Sequence, residues 1–334
     1  MSSTNQLSSW SFPSGRAAVL ESWMVPDEFF RHILRGPRDD IYTRVADSLV
    51  GECFSHGDDL REAEPVLQNC YRKLIQELQD QSPDPLPANL LLWRDDMRSL
   101  KNYIKRHYLD VDVSSVSGQY KQVFWDQLWD GTNTDLPAIF ERVGDRVQWH
   151  FDDAGEANLQ IFDAAFDSAV LCELRRAAET LDSEWIDGYW RRLDCMRGIE
   201  FLLRGQALDM KPDVLNLLLQ DRLNEDLLKS VQDEPVQQWP RILGEALDGF
   251  KLQDISDLEG TERIRAVVHA GEKWLMGYVR EGRLVPFGPE RVFACLLGLE
   301  TESYNMCVAV VGRANQMTAD LLEGHLRPCY VSGE

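Results

Sequence analysis

The chain has 334 residues, with 35 Lys and Arg against 56 Asp and Glu, a formal charge of −21. So acidic a surface excludes broad contact with phosphate backbones, which requires a cationic face. Hydrophobic residues make up 44% of the chain, enough to bury a sizeable core and too many for general disorder.

Residues 1–16 are polar and hold no apolar signal core, which predicts a chain that stays in the cytoplasm. No apolar run approaches the ~20 residues needed to span a bilayer. Residues 292–299 form one of the longest, and it still carries Gly298. The cysteines (Cys53, Cys70, Cys172, Cys195, Cys295, Cys307, Cys329) are scattered, odd in number and never in a C-x-x-C pair. That usage predicts a reduced compartment in which most of them serve as small core residues.

In chain order, nearly every segment reads as helix, with apolar residues at three- and four-residue spacing between short breaks. Ser82-Pro-Asp-Pro-Leu-Pro is the clearest early break. After it, Trp93, Met97, Leu100 and Ile104 follow a 4-3-4 spacing and share one helix side. Arg94, Arg98, Lys101 and Lys105 repeat that spacing one residue on, as a basic stripe beside the apolar one. Asp130-Gly-Thr-Asn-Thr-Asp is the next break, and its Asp and Thr residues suit the cap of a helix entered through Pro137. Val147, Trp149 and Phe151 alternate like a strand, but one short run builds no sheet. Pro289 suits the first turn of a helix running to about Gly312. Thr318 suits the N-cap of a last helix, with Asp320 in its first turn and Pro328 as its stop. The fold class is all-α, and Trp93, Trp190 and Trp274 belong to its core.

The chain also repeats itself. Residues 95–105 align without a gap on residues 194–204, an offset of 99. Asp, Met and Arg coincide, and Leu faces Ile, Ile faces Leu and Lys faces Arg. Met196, Ile199 and Leu203 continue the apolar stripe, and Arg197 and Arg204 the basic one. A fainter third copy lies about 107 residues later, where Leu299, Met306 and Val310 keep the apolar spacing beside Glu300, Glu302 and Asn305. Intervals of roughly 100 residues exceed the 30 to 50 of common solenoids and suggest three related helical modules.

These stretches resemble the C subunit of V/A-type ATP synthases, the homologue of eukaryotic V-ATPase subunit d. That family repeats an acidic residue, an Asn-Leu-Lys or variant, and then a basic residue. Residues 90–101 resemble the first repeat, with Asp96 as the acid, Ser99 in place of Asn and Lys105 as the later base. Residues 193–204 resemble the second, with Arg197 at or beside the Asn position. Residues 300–313 and the short helix after them resemble the family's C-terminal end, and Gly15-Arg-Ala-Ala-Val-Leu-Glu21 with Asp27-Glu-Phe-Phe30 its opening helix pair. The resemblance implies three helical modules, at residues 14–125, 126–225 and 226–330, in a pseudo-threefold funnel. It implies a central-stalk socket with no catalytic residue, cofactor or metal of its own. That socket links the central shaft subunits to the membrane rotor ring and transmits torque coupled to ion transport. Membrane contact is then indirect, on the cytoplasmic face, and no nucleic acid is bound. The repeated positions Asp96, Arg98, Lys101, Lys105, Asp194, Arg197, Arg204, Glu300, Glu302, Asn305 and Arg313 become its structural or interface residues.

Against this stand intramolecular roles, since charge stripes on helices most often face solvent or pair within the chain, and repeated acids cap helices or pair inside a module. Cys53 and His56 have donor types that zinc accepts, but no second pair follows. No G-x-x-x-x-G-K-S/T loop is present, so nucleotide hydrolysis falls to another chain. The rival enzyme reading is a class I terpene synthase, in which Asp58, Asp59 and Glu62 resemble one magnesium motif and Asp226, Ser230 and Glu234 the other. Pro65 and Pro235 break the helices those motifs require. A helical adaptor unrelated to any ATPase is the third reading.

Overall fold

The computed structural model describes residues 9–53, 59–109, 137–154, 159–207, 210, 215 and 224–331. Every described element is helical, and no strand occurs among the described residues. The chain forms two compact units. Unit 1 joins Met1–Asn89 to Glu272–Glu334, and unit 2 is the continuous stretch Leu90–Gly271.

Unit 1 opens with α1 (Ser11–Trp23), α2 (Asp27–Arg35), α3 (Ile41–Ala46) and α4 (Ala63–Gln81). Then α5 (Leu86–Leu109) leads into unit 2, which holds α6 (Ala138–Ala154), α7 (Leu159–Glu179), α8 (Glu184–Ala207), α9 (Glu225–Asp233) and α10 (Trp239–Ala246). The chain returns along α11 (Gly260–Glu281) and ends in unit 1 with α12 (Pro289–Ala314) and α13 (Ala319–Glu323).

The apolar run at residues 292–299 falls in the N-terminal half of α12 and is buried without interruption. A helix apolar on all sides must be enclosed by others, and α1, α2 and α4 all pack on α12. Their inner faces are apolar in turn, since α4 turns in Leu67, Tyr71, Ile75 and Leu78, and α2 turns in Phe30, Ile33 and Leu34. Each such side chain contributes about 1.5–3 kcal/mol when fully buried. Pro289 occupies the first turn of α12 behind Gly288, whose φ of 148° no side-chain-bearing residue readily adopts.

In unit 2, α6 packs on α7, α7 on α8, α8 on α9 and α9 on α10. Gly198 permits the α8–α9 approach, because a methyl there would lie 2.6 Å from Leu228. Helix α6 begins directly after Pro137, as the sequence predicts, whereas the proposed cap at residues 130–135 lies outside the described residues. The alternating residues 147–151 are helical within α6.

The cysteines depart from expectation at one point. Cys53 and Cys70 are joined as a disulfide, where the scattered pattern predicts free thiols. Among the others, Cys172, Cys195, Cys295 and Cys329 are buried and Cys307 is half-buried. No helix among the described residues is long and apolar enough to cross a membrane.

Candidate functional site

The three long helices α5, α8 and α12 carry the repeated positions. At offsets of 99 and 107 residues, Ser99, Gly198 and Asn305 share one position and Leu100, Ile199 and Met306 the next. All six are buried. Asp96, Asp194 and Glu302 are buried as well, although at these offsets Asp96 answers to Cys195 and Glu302, and Asp194 to the half-buried Asp95.

The basic stripe of α5 is largely consumed inside unit 2. Lys101 lies 3.0 Å from Asp163 and 2.8 Å from Asp167, and Lys105 lies 2.6 Å from Asp163. Both lysines are nearly covered, with the ammonium turned to the aspartates of α7. Arg98 faces solvent and pairs loosely with Asp95 on its own helix, at 3.8 Å. On α8, Arg197 and Arg204 each reach Glu200 at 2.6 Å, three and four residues along. Trp190 is fully buried, while Trp93 and Trp274 are half-buried.

On α12 the predicted residues form the inner fastenings of unit 1. Glu302 accepts hydrogen bonds from the Val25 N–H at 2.9 Å and the Tyr71 hydroxyl at 2.9 Å, linking α12 to the α1–α2 turn and to α4. Burial pushes its carboxyl up to about 7, and those two donors only partly oppose the shift. Tyr71 is raised well above the phenol range by burial and by the neighbouring Glu302 charge. Arg313 donates to the Gly36 carbonyl at 3.0 Å, fixing the end of α2. Glu300 is half-buried.

Asn305 grips the C-terminal tail, accepting from the Arg327 N–H at 2.8 Å and donating to the Arg327 carbonyl at 2.8 Å. Farther along, the Cys329 N–H donates to Asp27, and Arg280 donates to the Cys329 and Tyr330 carbonyls. The Tyr330 hydroxyl donates to Glu21 at 2.7 Å, and its ring rests on α12 where Gly298 leaves room. Arg327 lies 3.9 Å above the Tyr304 ring. Glu21 also pairs with Arg291, yet burial outweighs these partners and raises its pKa. Nothing in the sequence marks the tail as a clamp, because its partners stand 22 to 309 residues away.

A second carboxylate centre also lies outside the repeat. Glu173 on α7, its side chain fully covered, accepts from Arg142 Nε at 2.6 Å, Arg146 Nε at 2.8 Å and Arg176 Nη1 at 3.0 Å. Burial alone would raise its pKa, but the hydrogen bonds from Arg142 and Arg146 and the charge of Arg176 outweigh it and hold the carboxyl below its usual value.

The residues of the rival enzyme reading are otherwise employed. Asp59 caps the turn Leu60–Glu62 by accepting from the Arg61 N–H at 3.0 Å, and Asp58 lies outside the described residues. Asp226, Ser230 and Glu234 are all exposed, and Glu234 lies beyond the end of α9. Exposed carboxylates on a short helix line no closed cavity for a diphosphate. Cys53 spends its thiolate on Cys70, which removes the sulfur donor of the Cys53–His56 zinc pattern.

A family model described as ATP synthase (C/AC39) subunit matches residues 26–325. No curated protein matches the chain.

Proposed function

Because the chain belongs to the ATP synthase (C/AC39) subunit family, we propose that it is the non-catalytic socket of a V/A-type rotary ATPase. It seats the central shaft on the membrane rotor ring and passes torque between them, from the cytoplasmic face and without entering the bilayer. The family match over residues 26–325 carries this reading. The shared burial of Ser99, Gly198 and Asn305 supports a further part of it, three related modules at residues 14–125, 126–225 and 226–330 around an axis.

Mechanically, a torque-bearing part must resist shear, which calls for packed helices tied by contacts distant in sequence. Glu302, Asn305 and the Tyr330 tail provide such ties. ATP chemistry then belongs to other subunits of the complex, and this chain needs neither cofactor nor metal.

The test is reconstitution. Pull-down with the shaft and ring subunits should recover this chain, and a complex lacking it should hydrolyse ATP without pumping ions. Failure to bind either partner, or pumping that survives removal of the chain, would overturn the assignment.

A further inference from the structure

We propose that the arginine cluster around Glu173 in unit 2 is a docking site for a carboxylate-bearing helix of a protein partner. Two contacts of unit 2 differ in their balance of charge. In the α5–α7 contact, two lysines meet two aspartates, Asp163 and Asp167, and the charges balance. At Glu173, one carboxylate serves three guanidiniums. Leaving Arg146 aside, Arg142 and Arg176 still carry two charges against one.

Geometry then makes the surplus usable. Glu173 takes the Nε of Arg142 and one Nη of Arg176, so the outer N–H groups of both remain at the surface. Their side chains are about half exposed, at 47% and 52%. The carboxylate beneath them is buried and drawn from the core of α7, so the guanidiniums are held in place before any partner arrives. Such pre-ordering lowers the entropy cost of binding. Arg197 and Arg204 also share one acid, Glu200, but only along their own helix, as ordinary solvated pairs do. Glu141 and Asp145 lie exposed on α6 and, among the described residues, make no ion pair with Arg142 or Arg176.

The sign and extent of the patch select the ligand. A chain of formal charge −21 repels extended polyanions such as nucleic acid or an anionic bilayer, and only a local partner can exploit so small a cationic area. Arg142 on α6 and Arg176 on α7 converge on one carboxylate, so acids three or four residues apart on a single facing helix can meet both guanidiniums.

The choice of probe rests on the rotary-ATPase reading. The full-length chain is titrated against purified shaft subunits, against ring subunits in detergent and against phosphatidylserine vesicles, each at low and high salt. We expect one of the two protein partners to bind in a salt-sensitive manner. R142M/R176M, with circular dichroism and melting temperature checked, should bind that partner about tenfold more weakly or worse. E173Q keeps all three guanidiniums but removes the charge that holds them in place, so it should bind more weakly than wild type and less weakly than R142M/R176M. A folded R142M/R176M that binds as wild type does would sink the inference and leave the rotary role standing. So would wild-type binding that ignores salt, a readout needing no variant. Vesicle binding lost in R142M/R176M would make the ligand a membrane and overturn the proposal. If wild type binds neither shaft nor ring, the rotary role falls. The inference then stands only if wild type retains a glutamate-rich helical peptide more strongly than R142M/R176M does.

Discussion

Glu302 in unit 1 and Glu173 in unit 2 are both withdrawn from water, in opposite electrostatic surroundings. Glu302 is held by dipoles, the Val25 N–H and the Tyr71 hydroxyl, and it pairs with no cation among the described residues. Glu173 is held by three full charges. Burial acts in the same direction on both, yet one carboxyl rises to about 7 and the other falls below its usual value. The partners decide the sign. The fastenings around Glu302 and Asn305 in unit 1 are thus hydrogen bonds to backbone and Tyr groups, whereas those around Glu173 in unit 2 are ion pairs, which salt weakens where the arginines are exposed.

The most damaging way to break unit 1's side of that contrast is Tyr330→Ala. It empties the space on α12 beside Gly298 and deprives buried Glu21 of a donor. A loss of about 3–5 kcal/mol is expected, read from the denaturant midpoint. A shift under about 1 kcal/mol would mean that the tail does not close the core.

Glu302 tests the contrast through pH. Its folded pKa stands above the value of 4.5 for an unperturbed carboxyl, so the folded state binds the proton more tightly than the unfolded chain does. Its stabilising contribution is full below 4.5, declines as pH rises to about 7 and then stays level. The decline should reach about 3 kcal/mol, and urea titrations of wild type and Glu302→Gln across this range should differ by that slope. Parallel curves would show that Glu302 does not titrate there.

Glu173 should behave in the opposite sense. With its pKa lowered, its contribution is present above the ordinary carboxylate range and lost as pH falls through the folded value. Glu173→Gln should cost about 1–3 kcal/mol, less than a wholly buried pair because two of its three arginines are half exposed. High salt should narrow that difference, because the half-exposed guanidiniums of Arg142 and Arg176 are open to screening.

The smallest effect belongs to a surface ion pair of unit 1. Arg16 reaches Glu77 through two hydrogen bonds, at 2.8 and 3.1 Å, with both side chains about one third exposed. Arg16→Ala should cost less than about 1 kcal/mol. A larger loss in the denaturant midpoint would show that this pair contributes more than its exposure allows.

The helix boundaries were legible because they depend on local chemistry. Pro137, Pro289 and Thr318 each stand where the structure starts a helix. The inward face of α8 was legible from spacing, since Met196, Ile199 and Leu203 are buried, whereas on α5 Met97 and Leu100 are buried but Trp93 and Ile104 only half-buried. Partner choice was not. A stripe such as Lys101 and Lys105 reads alike whether it faces water or Asp163, because the decision lies on another helix. Glu173 escaped notice since no local pattern separates it from the many other acids of the chain. The same holds for Tyr330, whose partner Glu21 lies at the opposite end of the sequence. The Cys53–Cys70 bond was hidden in the same way, as scattered cysteines do not reveal which two lie close together.

The shared ownership of unit 1 by both chain ends has a consequence for synthesis. Unit 2 leaves the ribosome as one uninterrupted stretch, Leu90–Gly271, whereas unit 1 begins with Met1–Asn89 and waits for Glu272–Glu334. At 5–20 residues per second the wait lasts about 10–50 s. Throughout it, the faces bearing Phe30, Ile33, Leu67 and Tyr71 have no α12 to cover them. The nascent chain therefore exposes the apolar faces of its first helices early and completes their cover last.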